Sequence, residues 1–202
     1  MWYRNTAAKS ALGFLLLYGL LLVPWPGWNA TYGRFFRSLG GVCFGREGSR
    51  WVVHFQPAEN PPRPEIDTAI LLAPNLSPDA AGQVHGKILS LDTRGVGWVP
   101  TALLIALVLA SPVPWFRRLT ALILGLLLIQ GYLLLVLAAY LWSESGGLVP
   151  VSFLPFSPAI GTALEETLVT QMGPSFVVPV VLWLAIAFRR EDWARLFPPK
   201  AG

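Results

Sequence analysis

Four apolar runs divide this chain, and between the first two the pattern changes from unbroken blocks to alternation. The first run, SALGFLLLYGLLLVPWPGW (Ser10–Trp28), follows a short segment carrying Arg4 and Lys9. The second covers Trp98–Trp115, and the third, LTALILGLLLIQGYLLLVLAAYLW (Leu119–Trp142), is the clearest. The fourth, SFVVPVVLWLAIAF (Ser175–Phe188), is short and has to tilt or kink around Pro174 and Pro179. Crossing about 30 Å of hydrocarbon takes a helix of roughly 18 to 20 apolar residues, so the pattern predicts four transmembrane helices. The apolar part of the first is short enough for a signal-peptide core, but no A-x-A cleavage site follows it, which favours a retained span. Its PWPGW end also sets two tryptophans where an interfacial aromatic belt belongs.

The polar stretches predict further elements. In NATYGRFFRSLGG, Asn29 can cap a helix, and Tyr32, Phe35, Phe36 and Leu39 recur at helical spacing, with Gly40-Gly41 as the stop. With Arg34 and Arg37 opposite, this helix either lies on the membrane surface or packs on an outside domain. RWVVHFQ (Arg50–Gln56), IDTAILLA (Ile66–Ala73) and VHGKILSLD (Val84–Asp92) read as strands, separated by proline-rich turns. SPAIGTALEETLVTQMGP (Ser157–Pro174) reads as a helix outside the membrane or re-entrant, with Pro158 in its first turn.

The expected fold class is a membrane α-helical bundle of four transmembrane helices, with a small β-containing extracytoplasmic domain between spans 1 and 2. Residues 1–28 form the cytoplasmic N-terminus and first span, and residues 29–97 the extracytoplasmic domain. Residues 98–142 form a transmembrane hairpin, residues 143–174 an outside loop with a short helix, and residues 175–202 the fourth span and a basic tail.

Composition agrees with a membrane location: 54% of the 202 residues are hydrophobic and 13% charged. The charges also set an orientation. Arg4, Lys9, Arg117, Arg118, Arg189, Arg190, Arg195 and Lys200 all fall on one side of a four-span topology, and Ser143–Pro174 has no basic residue. The positive-inside rule then puts both termini in the cytoplasm. The long Asn29–Gly97 segment, basic residues included, lies outside, because long loops translocate largely regardless of charge. In a bacterial host this is a multi-pass protein of the inner membrane.

Candidate chemistry is sparse. Cys43 with His54 or His85 could make a thiol-imidazole pair, which gives the alternative of a membrane-embedded thiol enzyme. A lone Cys43 between Val42 and Phe44 equally suits a small buried hydrophobe. Two histidines without metal-ligand spacing give no metal site, and no nucleotide-binding or hydrolase motif occurs. No catalytic residue or cofactor is expected, and no nucleic-acid partner. Gln130, in the middle of the third span, wants a hydrogen-bond partner on another helix, or marks a small transporter subunit. Ala102, Ala106 and Ala110 repeat every four residues, and Gly125 precedes Gln130 in the third span. These faces suit close helix packing or the docking of a membrane-protein partner.

The segment ILLAPNLSPDAAGQVHGKILSLDTRGVGWVPTALLIALVLASPVPWFRR (Ile70–Arg118) resembles the small multi-span inner-membrane proteins associated with bacterial exosortases. Asp92-Thr93-Arg94, Gly95, Gly97-Trp98 and Pro100 carry the likeness, with the alanine-rich span that ends in Ser-Pro-x-Pro-Trp and two arginines. Exosortases themselves use membrane-embedded catalytic cysteine and arginine residues. Here Cys43 lies outside the spans, no Ala-Cys-Ser-Gly element occurs, and the spans are too few. The resemblance therefore implies an accessory or scaffold protein, with an exosortase as partner and membrane lipid around it. On that reading Asp92, Arg94 and Trp98 anchor the outside domain at the interface, with Trp98 at headgroup level.

Overall fold

The computed structural model describes residues 2–45, 52–59, 63–73, 86–145 and 173–188. They form a mostly helical protein with one small three-stranded sheet. The helices are α1 (Trp2–Leu22), α2 (Trp28–Phe44), α3 (Val99–Ala110), α4 (Trp115–Glu144) and α5 (Gly173–Ala187). A single π-helical turn, Arg94–Trp98, runs directly into α3. The chain divides into two compact units. One holds α1, α3, α4 as far as Tyr132, and α5; the other holds α2, the sheet, the π-turn and α4 from Leu133 onward.

The four expected spans correspond to α1, α3, α4 and α5, but only α4 is long and apolar enough to cross a bilayer among the described residues. At 1.5 Å per residue its 30 residues reach about 45 Å. The apolar stretches Ala8–Leu22, Arg94–Ala110 and Phe176–Ala187 are shorter. Two of the expected runs counted residues that the chain uses otherwise. Val23–Gly27 turns the chain after α1, and Ser111–Pro114 turns it after α3. Proline cannot continue a helix interior without losing a bond, so both turns fall at proline pairs. Pro179, by contrast, is accommodated inside α5, where it is fully buried.

In the helical unit α3 is the central element. Seven of its twelve residues are buried, and it packs against both α1 and α5. Leu104 and Val108 of α3 form a core with Ala121 and Ile129 of α4, against which Leu182, Trp183 and Ile186 of α5 pack. The outer helices carry stripes of exposed aliphatic side chains at helical spacing: Leu12, Leu15, Leu16 and Leu20 on α1, and Leu119, Ile123, Leu124, Leu127 and Leu128 on α4. On α5 the stripe is Phe176, Val177, Val180 and Val181. The stripes are broken by few polar side chains, exposed Thr120 of α4 being one, and its hydroxyl bonds back to the Phe116 carbonyl.

The sheet is an antiparallel meander, β1 (Val52–Pro57), β2 (Thr68–Ala73) and β3 (Lys87–Leu91), in the order β1-β2-β3. All three expected strands are present. Register pairs Phe55 with Ile70 and Ile70 with Leu89, so Val53, Phe55, Thr68, Ile70, Leu72 and Leu89 share one face. That face is the core of the second unit, with Ile70 and Leu72 almost completely buried. The opposite face carries His54, Leu71, Ile88 and Ser90, of which Ile88 is 63% exposed.

α2 covers the core face of the sheet. Its buried residues are Tyr32, Gly33, Phe36, Gly40 and Phe44. The helix starts after Gly27, which takes a left-handed φ of 79°, rather than at an Asn29 cap; the Gly27 carbonyl accepts from both Thr31 N and Thr31 Oγ1. Nor do Gly40 and Gly41 stop it. Gly40 is needed for space: a Cβ there would lie 2.7 Å from the ring of Phe55. The expected Ser157–Pro174 helix lies outside the described residues.

Candidate functional site

Polar chemistry concentrates where α2, the start of β2 and the end of β3 meet. Asp67, just before β2, receives two bonds from Thr93: backbone N to Oδ1 at 3.1 Å and Oγ1 to Oδ2 at 2.5 Å. From α2, Arg37 Nη1 donates to the Asp67 carbonyl at 3.2 Å and to Thr68 Oγ1 at 3.1 Å. Thr68 and Thr93 are fully buried. Buried hydroxyls and a carboxylate are costly unless hydrogen-bonded, and here each is satisfied by a neighbouring element. The cluster thus fixes the helix, the central strand and the approach to the π-turn. The sequence reading set Arg37 beside Arg34 on the polar face of an amphipathic helix; the structure turns Arg37 inward.

The next residues form the junction that the sequence singled out. Asp92 Oδ1 accepts from Gly95 N at 3.0 Å and the Asp92 carbonyl from Val96 N at 3.1 Å, which holds the first π-turn. Arg94 is half-buried within this turn. Trp98 was expected at the headgroup level. It is buried, with its ring 4.9 Å from Trp28 and 5.6 Å from Tyr32, both in edge-on arrangements. Trp98 therefore meets protein aromatics, which suits the edge-to-face preference of such rings. Gly97 has an ordinary negative φ, and its role is again space, because a Cβ would lie 2.5 Å from Tyr32 Oη. Lys87 of β3 pairs with Glu144 in the last turn of α4.

The candidates expected within the second and third spans fall within the helical unit. Ala102 and Ala106 are fully buried in the chain's own packing, while Ala110 is half-exposed. Gly125 is buried against Leu104, whose Cδ2 would lie 3.1 Å from an added Cβ. Gln130 Nε2 reaches Thr101 Oγ1 of α3 at a long 3.5 Å, and Gln130 Oε1 is buried without a hydrogen-bond partner among the described residues. Sequence reasoning foresaw a cross-helix partner for Gln130 but not its identity. It missed two further ties: Trp183 Nε1 donates to Ser111 Oγ at 2.6 Å, and Arg117 Nη2 donates to the Ala187 carbonyl at 3.2 Å. The second places a cation on the final carbonyls of α5, where the helix dipole is negative.

The thiol-imidazole pair is not assembled from Cys43 and His54. Cys43 is half-buried in the last turn of α2, whereas reactive thiols are typically activated at a helix N-terminus or beside a cation. α2 packs on the Phe55 face of the sheet, and His54, one residue away, points to the other face. His85 lies outside the described residues. Among the described residues no three metal-ligating side chains come together. Comparison with family models, curated proteins and solved structures finds no match for this chain.

Proposed function

We propose that this chain is a four-span integral membrane protein that acts by protein-protein contact, as an accessory or scaffold in an exosortase-type sorting system. The observation that carries the membrane part is the set of aliphatic stripes on α1, α4 and α5 around a buried α3. In water such stripes would drive aggregation; in lipid they are the solvated surface. The bonds Trp183–Ser111 and Arg117–Ala187 bring the C-terminal end of α5 to the α3–α4 turn. Arg117 and Arg118 are at that end, and the sequence after α5 continues with Arg189-Arg190. This supports a cytoplasmic location for the turn and both termini, in the inner membrane, with the sheet unit on the outer side.

The accessory role draws on the resemblance of Ile70–Arg118 and on the Arg37–Asp67–Thr93 cluster, which makes the sheet unit a stiff platform. The partner is a membrane protease or transpeptidase of the exosortase kind. Trp98 is buried, so a crosslinking probe belongs on the outer sheet face at Ile88. Photocrosslinking from that position in native membranes, followed by purification, should recover a membrane protease or transpeptidase. Recovery of the chain alone, at full expression and with the probe active, would refute the role.

A further inference from the structure

We propose that the outward face of α2 is a phospholipid contact, so that this helix is clamped between the sheet on one side and the membrane interface on the other. The inference rests on the membrane reading above and deepens it. α2 packs its Tyr32, Phe36, Gly40 and Phe44 face into the protein, and its exposed side combines Thr31, Arg34 and Ser38 with an apolar stripe. Trp28, Phe35 and Val42 recur every seven residues, the spacing that keeps side chains on one face of a helix. They are 40%, 48% and 82% exposed. Thr31 and Ser38 border this stripe, and exposed Arg34 lies beyond them. No Asp or Glu occurs anywhere in Trp28–Phe44, so the helix offers nothing that repels a phosphate layer.

Continuity with α1 identifies the occupant. The lipid-facing stripe of α1 ends at Leu20, and the linker that follows exposes Val23 and Trp25 before Trp28 begins α2. Tryptophan is enriched at the headgroup level, and a cation beside an apolar stripe is the usual composition of a helix lying in the interface. Along a chain leaving the hydrocarbon through Val23, Trp25 and Trp28, the next exposed large apolar side chains are Phe35 and Val42 of α2. A protein partner would be expected to bring its own complementary charge to Arg34; the lipid phosphates already supply it.

The test uses the full chain in phospholipid bilayers, with Cys43→Ser as background and single cysteines carrying an environment-sensitive fluorophore. Labels at Phe35→Cys and Val42→Cys should be quenched by lipids brominated near the headgroup about twofold or more beyond a label at Ala30→Cys on the opposite edge of the exposed arc. A label at Leu127→Cys in the α4 stripe reports on the membrane reading itself, through lipids brominated deep in the chains. Quenching at Leu127 without quenching at Phe35 and Val42 overturns the α2 contact and leaves the anchoring intact. No quenching at Leu127 overturns both. Labels at Phe35 and Val42 that are shielded in native membranes but unquenched in pure lipid indicate a protein partner, which also overturns the proposal.

Discussion

Replacing Gly97 by alanine isolates the junction between the π-turn and α2. In a helical turn the change removes backbone freedom from the unfolded chain and by propensity alone should stabilise by up to about 1 kcal/mol. Packing opposes it. The new methyl carbon would lie 2.5 Å from Tyr32 Oη, 3.1 Å from Cε1 and 3.2 Å from Cζ, against an optimum of about 3.5 to 4.0 Å for carbon contacts. Tyr32 has little room to yield, since its ring is buried and stacked edge-on against Trp98. Overpacking of this kind costs about 1 to 3 kcal/mol. The net expectation is a loss of about 1 to 2 kcal/mol, taking the two effects together.

Thermal unfolding of the purified protein in detergent reads this directly. At roughly 2 to 4 °C per kcal/mol for a chain of this size, Gly97→Ala should lower Tm by about 2 to 8 °C. Tyr32→Phe deletes the nearest clashing atom, so Gly97→Ala with Tyr32→Phe should recover about half of the loss, the ring carbons still being close. The coupling between the two sites should be of order 1 kcal/mol, as for other contacting pairs. A Tm for Gly97→Ala equal to or above that of the parent, or strict additivity in the double variant, would sink the argument that space rather than turn geometry demands glycine here.

Thr93→Val, nearly the same shape, removes the hydroxyl that donates to Asp67 Oδ2, and should cost about 1.5 to 3 kcal/mol because the acceptor is a carboxylate; Thr93→Ser should retain most of the stability in the same unfolding assay. Glu144→Gln breaks the pair with Lys87, whose side chain is 58% exposed, and should change stability by less than about 1 kcal/mol at moderate salt. In α4, Gly131→Ala meets no atom within 4 Å and should raise Tm slightly, whereas Gly125→Ala presses on Leu104 and should gain less or lose, a difference visible in parallel melts.

Much of the fold is legible in the sequence because period is a strong local signal. Two of the three strands fall within the expected runs and β1 passes its run by one residue, Pro57, while the apolar blocks become helices. What stays hidden is decided by contacts between distant segments. Nothing local distinguishes Arg34 from Arg37, yet one stays outside and the other bonds to Asp67 thirty residues on. Gly40 and Gly97 read as a stop and a turn because glycine has those local uses; their actual neighbours, Phe55 and Tyr32, are fixed only after the chain folds. Trp98 likewise reads as an interface anchor by its place before a span, until α2 supplies two aromatic rings that bury it.

The shortness of α3 goes with its surroundings. A lipid-facing span must satisfy its whole backbone within hydrocarbon, which sets its minimum length. α3 has different surroundings, being enclosed by α1, α4 and α5 over most of its surface. Irregular backbone at membrane depth is tolerated where protein covers it. Side chains at both ends of α3 are buried, Trp98 and Thr101 at one end and Ser111 and Val113 at the other. Ser111 Oγ donates to the Leu107 carbonyl and accepts from Trp183, so polar groups freed by the turn find partners within the protein. α3, continued at its start by the π-helical turn, is thus a short helix held by protein contacts, where α4 exposes a long aliphatic stripe over its unbroken length.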